Sequence, residues 1–291
     1  DCAKTNLYHI THTKTKHTNL WKPGHYQRVL LWEKFQGVGD EIRMASMFLE
    51  MKELCSKLIV QIDPRLIPLF ERSFSKSIKF CSKDKIVSKQ EYDKHLPLAQ
   101  LPEYFRPDLK SFLGTSEGWL KASSKKTKDL RLKLKSMTSK YLIGISWRTS
   151  GVKDSISLEE LARALPTDRI TFVNLQYGDV SDEIDTLAYN YGIKVLQLPE
   201  VDNTQDFDGL AALVCACDEV ISINNVTIHL AGSLGQRSTA LLPYIPSFVW
   251  TSKLVSTKSH WHSSVTKIKQ NTILSWDLAL NKLKKNLDRQ I

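Results

Sequence analysis

Residues 28–62 read RVLLWEKFQGVGDEIRMASMFLEMKELCSKLIVQI, and this stretch decides the fold. Its first part, Arg28–Glu33, is apolar and β-prone and leads into a glycine-bearing loop, Gln36–Asp40. From Ile42 to Leu54 the apolar residues recur at close to the 3.6-residue period of a helix. Lys57–Ile62 is then a second strand-like run. Strand, loop, helix and strand in this order predict a βαβ unit with parallel strands.

The same alternation recurs in the second half of the chain. It begins with Tyr141–Trp147 (YLIGISW), and further strand-like runs alternate with helical patterns at Ile170–Leu175, Ile193–Leu198, Glu219–Ile223 and Ser238–Leu242. The densely basic segment Lys121–Lys140 separates the two series, and we interpret it as a solvated helix and linker. Residues 82–112 carry a weak pattern and three prolines, so loops are expected there. Two βαβ series predict an α/β protein with two Rossmann-like domains, whose parallel sheets face a common cleft.

The composition is that of a globular protein with an excess of positive charge. Of 291 residues, 42% are hydrophobic, which excludes a wholly disordered chain. The 41 lysines and arginines exceed the 31 aspartates and glutamates, and the net charge of +10 favours an anionic partner. A nucleic-acid partner would rest on this charge alone, and we do not expect one.

Location is predicted from what the sequence lacks. No apolar run reaches the length of a membrane span, and the five cysteines have no metal-type spacing. We therefore expect a cytoplasmic location, with peripheral attachment at the inner membrane face as an option. The chain starts at Asp1 without a signal-peptide pattern, and we expect it to be part of a longer protein.

Asp40 is the first candidate for chemistry. It lies where a strand passes through Gly37 and Gly39 into a helix, but Ile42 occupies the third glycine position of the GxGxxG dinucleotide fingerprint. Two interpretations of Asp40 remain open. It caps the helix, or it faces the cleft as a general base.

A second group of candidates follows the strand Glu219–Ile223. Residues 222–232 run through polar side chains into a short helix, whose free N–H groups suit a phosphate or diphosphate. Asn225 and Thr227 add donors there. His229 is either part of this site or a core histidine bonded to backbone.

Two neighbouring strand ends supply further candidates. Arg148, with Thr149 and Ser150 beside it, follows the strand that begins at Tyr141, and a guanidinium there suits an anion. A salt bridge on the surface or between domains is the alternative for Arg148. Gln176 and Tyr177 follow the next strand and would line the same pocket.

Five motifs in sequence resemble those of a known family. They are Leu30–Trp32 with Gln36–Ile42, Asp63–Phe70, Gly144–Arg148, Leu175–Asp179 and Thr227–Gly232. Together they resemble the glycosyltransferase domain that often follows tetratricopeptide repeats in bacterial proteins. That domain is similar to the ADP-heptose:lipopolysaccharide heptosyltransferases, and the resemblance covers roughly residues 28–280.

The resemblance implies a GT-B fold and its domain order. The expected parts are an amino-terminal arm (1–27), an acceptor-side domain with the basic linker (28–135), a nucleotide-sugar donor domain (136–275) and a carboxyl-terminal helix that crosses the junction (276–291). It also implies an inverting transfer from a nucleotide-diphosphate sugar to a glycan, lipid or protein acceptor. No metal and no other cofactor is expected, and tetratricopeptide repeats would accompany the domain in a longer chain.

The resemblance also assigns residues. Asp40 is the base that deprotonates the acceptor hydroxyl, and the acceptor-side loop holds Gln36, Gly37 and Gly39. The donor-binding residues are Arg148, Thr149, Ser150, Gln176, Tyr177, Asn224, Asn225, Thr227 and His229. Asn224 stands where the family usually has aspartate, and Val226 where it often has a small hydroxyl residue. These departures keep open a non-catalytic GT-B module that binds a nucleotide or glycan. A GT-B nucleotide-sugar epimerase is a further alternative.

Overall fold

A computed structural model gives the fold of the protein. It describes residues 19–24, 26–33, 37–74, 76–112, 118–149, 154–251, 257–273 and 275–291. Two of the predicted site residues, Gln36 and Ser150, lie outside these ranges, as does most of the predicted amino-terminal arm.

The first half contains a sheet of four parallel strands in the order β3-β2-β1-β4. Its strands are β1 Arg28–Trp32, β2 Lys57–Ile62, β3 Ile78–Ser82 and β4 Lys94–Pro97. The α-helices among the described residues up to 112 are α1 Val38–Met44, α2 Phe48–Glu53, α3 Ile67–Ser73 and α4 Leu101–Phe105, and short 3-10 turns adjoin several of them. The expectation of loops only over 82–112 is wrong, because β4 adds a strand beside β1.

The second half contains a separate sheet of six parallel strands in the order β10-β9-β8-β5-β6-β7. Its strands are β5 Tyr141–Ser146, β6 Ile170–Asn174, β7 Val195–Leu196, β8 Glu219–Ile223, β9 Ser238–Leu242 and β10 Val265–Lys269. Its helices in the described ranges are α6 Leu158–Arg163, α7 Ser181–Tyr191, α8 Phe207–Ala216, α9 Val226–Ser233 and α10 Asp277–Asp288. The predicted α/β class with two parallel sheets is thus confirmed.

Both sheets place a topological switch point next to predicted site residues. The chain leaves β5 toward β6 on one side and returns to β8 on the other, so the loops after β5 and β8 adjoin where the strand order reverses. In the first sheet the reversal lies between β1 and β4, and the loop that leads to Asp40 follows β1. Ligands of open α/β sheets bind at such points, outside the carboxyl ends of the strands.

The basic segment between the sheets forms a packed helix, α5 Ser124–Met137. Leu130 and Leu134 are buried in a core cluster that contains residues of both halves, among them α8 side chains. Arg131 pairs with Asp218 of the second half at 2.5 Å. The interpretation of this segment as a solvated helix is therefore wrong for one of its faces, because successive turns carry Leu130 and Leu134 among the lysines.

Helix α10 packs within the second half. Its buried residues Ala279, Leu280, Leu283 and Leu287 belong to a core cluster whose described members all lie at or after Tyr141. Its Asp288 pairs with Arg169, at the start of β6. The prediction that this helix packs across the junction is wrong for its buried face, which lies in the core of the second half. The predicted domain boundaries stay predictions.

Candidate functional site

The loops after β5 and β6 are joined by one buried side chain, Gln176. Its Oε1 accepts hydrogen bonds from Ser146 Oγ (3.0 Å), Trp147 N (2.9 Å) and Arg148 N (2.8 Å). Its Nε2 donates to the carbonyls of Arg148 and Tyr177. Gln176 is almost wholly buried, so it fixes the shape of the site and offers little surface to a ligand.

Asn225 connects the start of α9 to the same loops. Its Oδ1 accepts from Thr227 N at 3.0 Å, which caps the helix, and its Nδ2 donates to Ser146 Oγ at 2.7 Å. The Thr227 hydroxyl is fully buried and lies 3.5 Å from the Leu175 carbonyl. The structure therefore brings the predicted residues 225 and 227 together with 148 and 176. It turns Thr227 inward, however, away from a ligand at the helix N-terminus.

Arg148 forms the salt bridge that sequence analysis gave as its alternative. Its Nη1 lies 2.6 Å from Glu183 Oε1, and its Nη2 donates to the Asp179 carbonyl at 3.0 Å. The side chain remains 42% exposed, so an anion can still approach it. Beside it, Thr149 is partly buried and its N–H donates to Ser155 Oγ, and Tyr177 is partly buried as well.

Asp40 lies in the first turn of α1 with its side chain 41% exposed. Gly37 is the N-cap residue of that helix, with no side-chain cap bond, so the capping interpretation of Asp40 is wrong. Oδ1 of Asp40 accepts instead from Arg43 Nη2 at 2.7 Å. Within the described part of the chain, Oδ2 has no hydrogen-bond partner, so one carboxylate oxygen is available to a substrate.

The two predicted centres of chemistry meet where α1 packs against α9. A Cβ added at Gly39 would lie 3.6 Å from Val226 Cα and 3.2 Å from His229 Cδ2. A side chain at 39 would therefore be in tight contact with the His229 ring, so the two helices approach closely at this glycine. Trp119 connects the same two helices, since its Nε1 donates to the Ile42 carbonyl and its N–H donates to the Ser233 carbonyl. These candidate residues thus lie between the two sheets.

His229 belongs to an aromatic cluster at this junction. Its Nδ1 lies 3.1 Å from His262 Nε2. Trp250 stacks on His229 at 5.3 Å between ring centroids, and Trp119 stacks on His262 at 5.2 Å. Burial lowers the pKa of His229 to about 3, with a smaller contribution from the charge of Arg43. His229 is therefore neutral at physiological pH and acts mainly as a packed residue, bonded to a histidine rather than to backbone.

Asn224 is fixed by the same cluster. Its Oδ1 accepts from Trp250 Nε1 at 2.7 Å, and it remains partly exposed beside the start of α9. The neutral amide satisfies the indole N–H without adding a negative charge at the start of α9.

A cavity of about 460 Å³ opens at the carboxyl ends of β6 and β7, and sequence analysis missed it. Its polar wall includes Asn174, Gln197, Asn203 and Thr204, and its apolar wall includes Leu198 and Val201. Oδ1 of Asn203 is buried with no partner among the residues that the structure describes. The polar residues at the ends of β6 and β7 were the feature of the sequence that could have predicted this cavity. The loop that brings Asn203 to them has no periodic pattern.

The described residues contain neither a metal-binding cluster nor a membrane-spanning helix. In those ranges no cluster of three or more His, Cys, Asp or Glu side chains is arranged to bind a metal ion. No helix there is long and apolar enough to cross a membrane.

A curated protein is similar in sequence to most of this chain. No family model matches the chain. Protein FlbA of Caulobacter vibrioides is 28% identical over 256 residues, which cover 79% of this chain and 41% of that protein. The chain therefore spans less than half the length of this curated relative.

Solved structures of glycosyltransferases have the same architecture. A glycosyl transferase family 9 protein from Veillonella parvula gives a TM-score of 0.58 at 14% identity, covering 89% of this chain and 90% of that chain. The ADP-heptose LPS heptosyltransferase II of E. coli gives 0.55 at 13% identity, covering 90% and 98%. The E. coli heptosyltransferase WaaC with ADP gives 0.52 at 12% identity, covering 90% and 98%. The chain thus has the heptosyltransferase-like GT-B fold that its motifs predicted.

Proposed function

We propose that this chain is an inverting, metal-independent glycosyltransferase that uses a nucleotide-diphosphate sugar. The observation that carries the proposal is the close approach of α1, at Gly39 beside Asp40, to the first turn of α9 at the junction of the two sheets. A carboxylate with one open oxygen and a set of helical N–H groups are the two elements that an inverting transfer needs. Similarity in fold to heptosyltransferases supports the same conclusion by analogy.

The donor would bind mainly to the second half. Its diphosphate would lie at the start of α9, where N–H groups and the helix dipole favour negative charge. The nucleoside would enter the cavity after β6 and β7, where Asn203 Oδ1 has no other partner among the described residues. Arg148 is already paired with Glu183, so it would contribute less to phosphate binding than the helix does.

In the reaction, the acceptor hydroxyl would lie against Asp40 Oδ2. Its oxygen attacks the anomeric carbon from the face opposite the diphosphate, the bond from that carbon to the diphosphate oxygen breaks, and the proton passes to Asp40. The helix N-terminus stabilises the charge that develops on the leaving diphosphate, so no metal is required. The acceptor is a glycan, lipid or protein, and reaction with a nucleotide-sugar in the cell implies a cytoplasmic location.

The longer protein is a separate proposal. Because the chain matches only 41% of the length of its curated relative, we infer that further domains accompany it, and tetratricopeptide repeats are the expected ones.

A thermal-shift screen followed by a transfer assay tests the function. Nucleoside mono- and diphosphates and their sugar conjugates are screened first, because a ligand that binds only the folded state raises the melting temperature. Asp40→Asn should then keep the thermal shift and lose about 10²–10⁴-fold in transfer. Retained binding with unchanged transfer would remove Asp40 from the chemistry. Nucleotide binding with no transfer in the wild type would favour the non-catalytic module.

A further inference from the structure

Arg43 is a buried cation next to the proposed base. Its side chain is 3% exposed, and its Nη2 lies 2.7 Å from Asp40 Oδ1, one turn earlier on α1. A buried guanidinium is costly unless it is paired, and this contact supplies the pair. Arg43 thus holds Oδ1, while Oδ2 has no hydrogen-bond partner among the described residues.

The rest of the Arg43 guanidinium packs against aromatic rings of the other half of the protein, and its Nε has no hydrogen-bond partner among the described residues. It lies 4.7 Å from the ring centroid of Trp261 and 6.0 Å from that of Phe248. Both aromatic residues precede β10 in the second half, whereas Arg43 and Asp40 belong to the first. A guanidinium over an aromatic face is attracted by the ring quadrupole. The orientation of Asp40 therefore depends on a contact between the halves.

We propose that Arg43 is a positioning residue: it directs Asp40 Oδ2 toward the acceptor, and Trp261 holds Arg43 for that task only when the two halves are docked. The inference rests on the proposed function and extends it to how the base is aligned. An acceptor reaches a correctly oriented carboxylate only after the donor half is in place, which restricts transfer to the assembled site.

A second arginine in the chain has a matched arrangement and serves as the control. Arg65, also from the first half, pairs with its neighbour Asp63 at 2.8 Å and lies 5.2 Å from the ring of Phe207 in the second half. It contacts neither Asp40 nor α9 in any described hydrogen bond or ion pair. Its Nη1 also donates to the carbonyl of Thr204, which lines the proposed nucleoside cavity. Arg65→Ala therefore removes a bridge between the halves without touching the base, and any effect on donor binding would appear in KM rather than in kcat.

The kinetic experiment uses hydrolysis of ADP-glucose, UDP-glucose and GDP-mannose, with water in place of the acceptor. Arg43→Ala should lower kcat by about 10²-fold with little change in KM, because a misplaced group of this kind costs about that factor. Millimolar guanidinium should restore part of the rate by filling the vacated site over Trp261, and Arg43→Lys should retain more activity than Arg43→Ala. Arg65→Ala should keep its kcat. Equal losses in Arg43→Ala and Arg65→Ala, or no rescue by guanidinium, would overturn the proposal.

A structural experiment separates this inference from the proposed function, since it needs no donor. In crystal structures of the wild type and Arg43→Lys, the Asp40 carboxylate should keep its orientation, and in Arg43→Ala it should rotate or become disordered. Trp261→Leu should weaken the order of Arg43 and Asp40 together. An Asp40 carboxylate that stays in place in Arg43→Ala would refute the positioning role even if transfer is confirmed. A rotated carboxylate in a protein that binds no nucleotide in the thermal-shift screen and hydrolyses no nucleotide sugar would confirm that Arg43 orients Asp40 and would contradict the function.

Discussion

Replacing Gln176 by leucine should destabilise the protein through the loops of the site. The Gln176 Oε1 atom serves three donors, two of which are the backbone N–H groups of Trp147 and Arg148. Leucine fills a similar volume but accepts no hydrogen bond, so these N–H groups lose their partner in a buried place. Each such orphaned donor costs about 1–3 kcal/mol, which predicts a loss of roughly 2–5 kcal/mol in the free energy of unfolding.

Equilibrium unfolding in urea, followed by far-ultraviolet circular dichroism, measures this loss. Gln197→Leu is the matched control, because Gln197 is exposed at the end of the adjacent strand and accepts a single bond, from Asn174 at 3.4 Å. The control should change stability by about 0.5 kcal/mol or less. If Gln176→Leu costs no more than Gln197→Leu, the account of Gln176 as the joint between the two loops is refuted.

Two further changes test the interior of the site. The Thr227 hydroxyl is buried against the Leu175 carbonyl, so Thr227→Val should lower the free energy of unfolding by about 1 kcal/mol. Calorimetry should show the affinity for any bound nucleotide unchanged within about twofold. A large loss of affinity would mean that the hydroxyl reaches the ligand. Acidification should weaken the fold, because the pKa of His229 in the folded protein is about 3, against 6.5 ordinarily, and the pKa of His262 is lowered by burial as well. Below pH 6.5 the unfolded chain takes up protons that the folded histidines do not, so stability is lost as the pH falls from 6.5 toward 3, by about 2 kcal/mol at pH 5 for His229. The urea midpoint of unfolding should therefore fall less between pH 7 and pH 5 in His262→Phe than in the wild type. An equal fall would contradict the conclusion that His262 is held neutral by burial.

Local signals in the sequence were sufficient for most elements of the fold. The bounds predicted for the strands Lys57–Ile62, Glu219–Ile223 and Ser238–Leu242 match those of the structure. Gly192 ends α7 with a φ of 65°, and Ser157 caps α6 through the N–H of Glu160. A glycine after the last turn and a serine three residues before a glutamate are the usual sequence signals for these two positions.

Elements with weak local signals were missed. Strand β4 has the sequence KHLP, with a proline at its end, and β10 has VTKIK, with lysines on its outer face. Both are short edge strands whose structure comes from pairing with β1 and β9. Propensity within a few residues cannot show such pairing.

For the site, the sequence predicted the location better than the roles. Strand ends and glycines placed Asp40, Arg148 and Asn225 at the junction of the sheets. Gln176 and Thr227, however, face inward, because their partners come from other loops. The contact of Arg43 with Trp261 likewise depends on how the two halves dock, and no local pattern reports that.

The most direct test of the central claim is a crystal structure with the nucleotide that gives the largest thermal shift. We predict the phosphates at the N-terminus of α9, near Asp40. We predict the nucleoside in the cavity at the carboxyl ends of β6 and β7, which is lined by Asn174 and Asn203. A nucleotide bound away from the junction of the two sheets, with this cavity empty, would contradict the account.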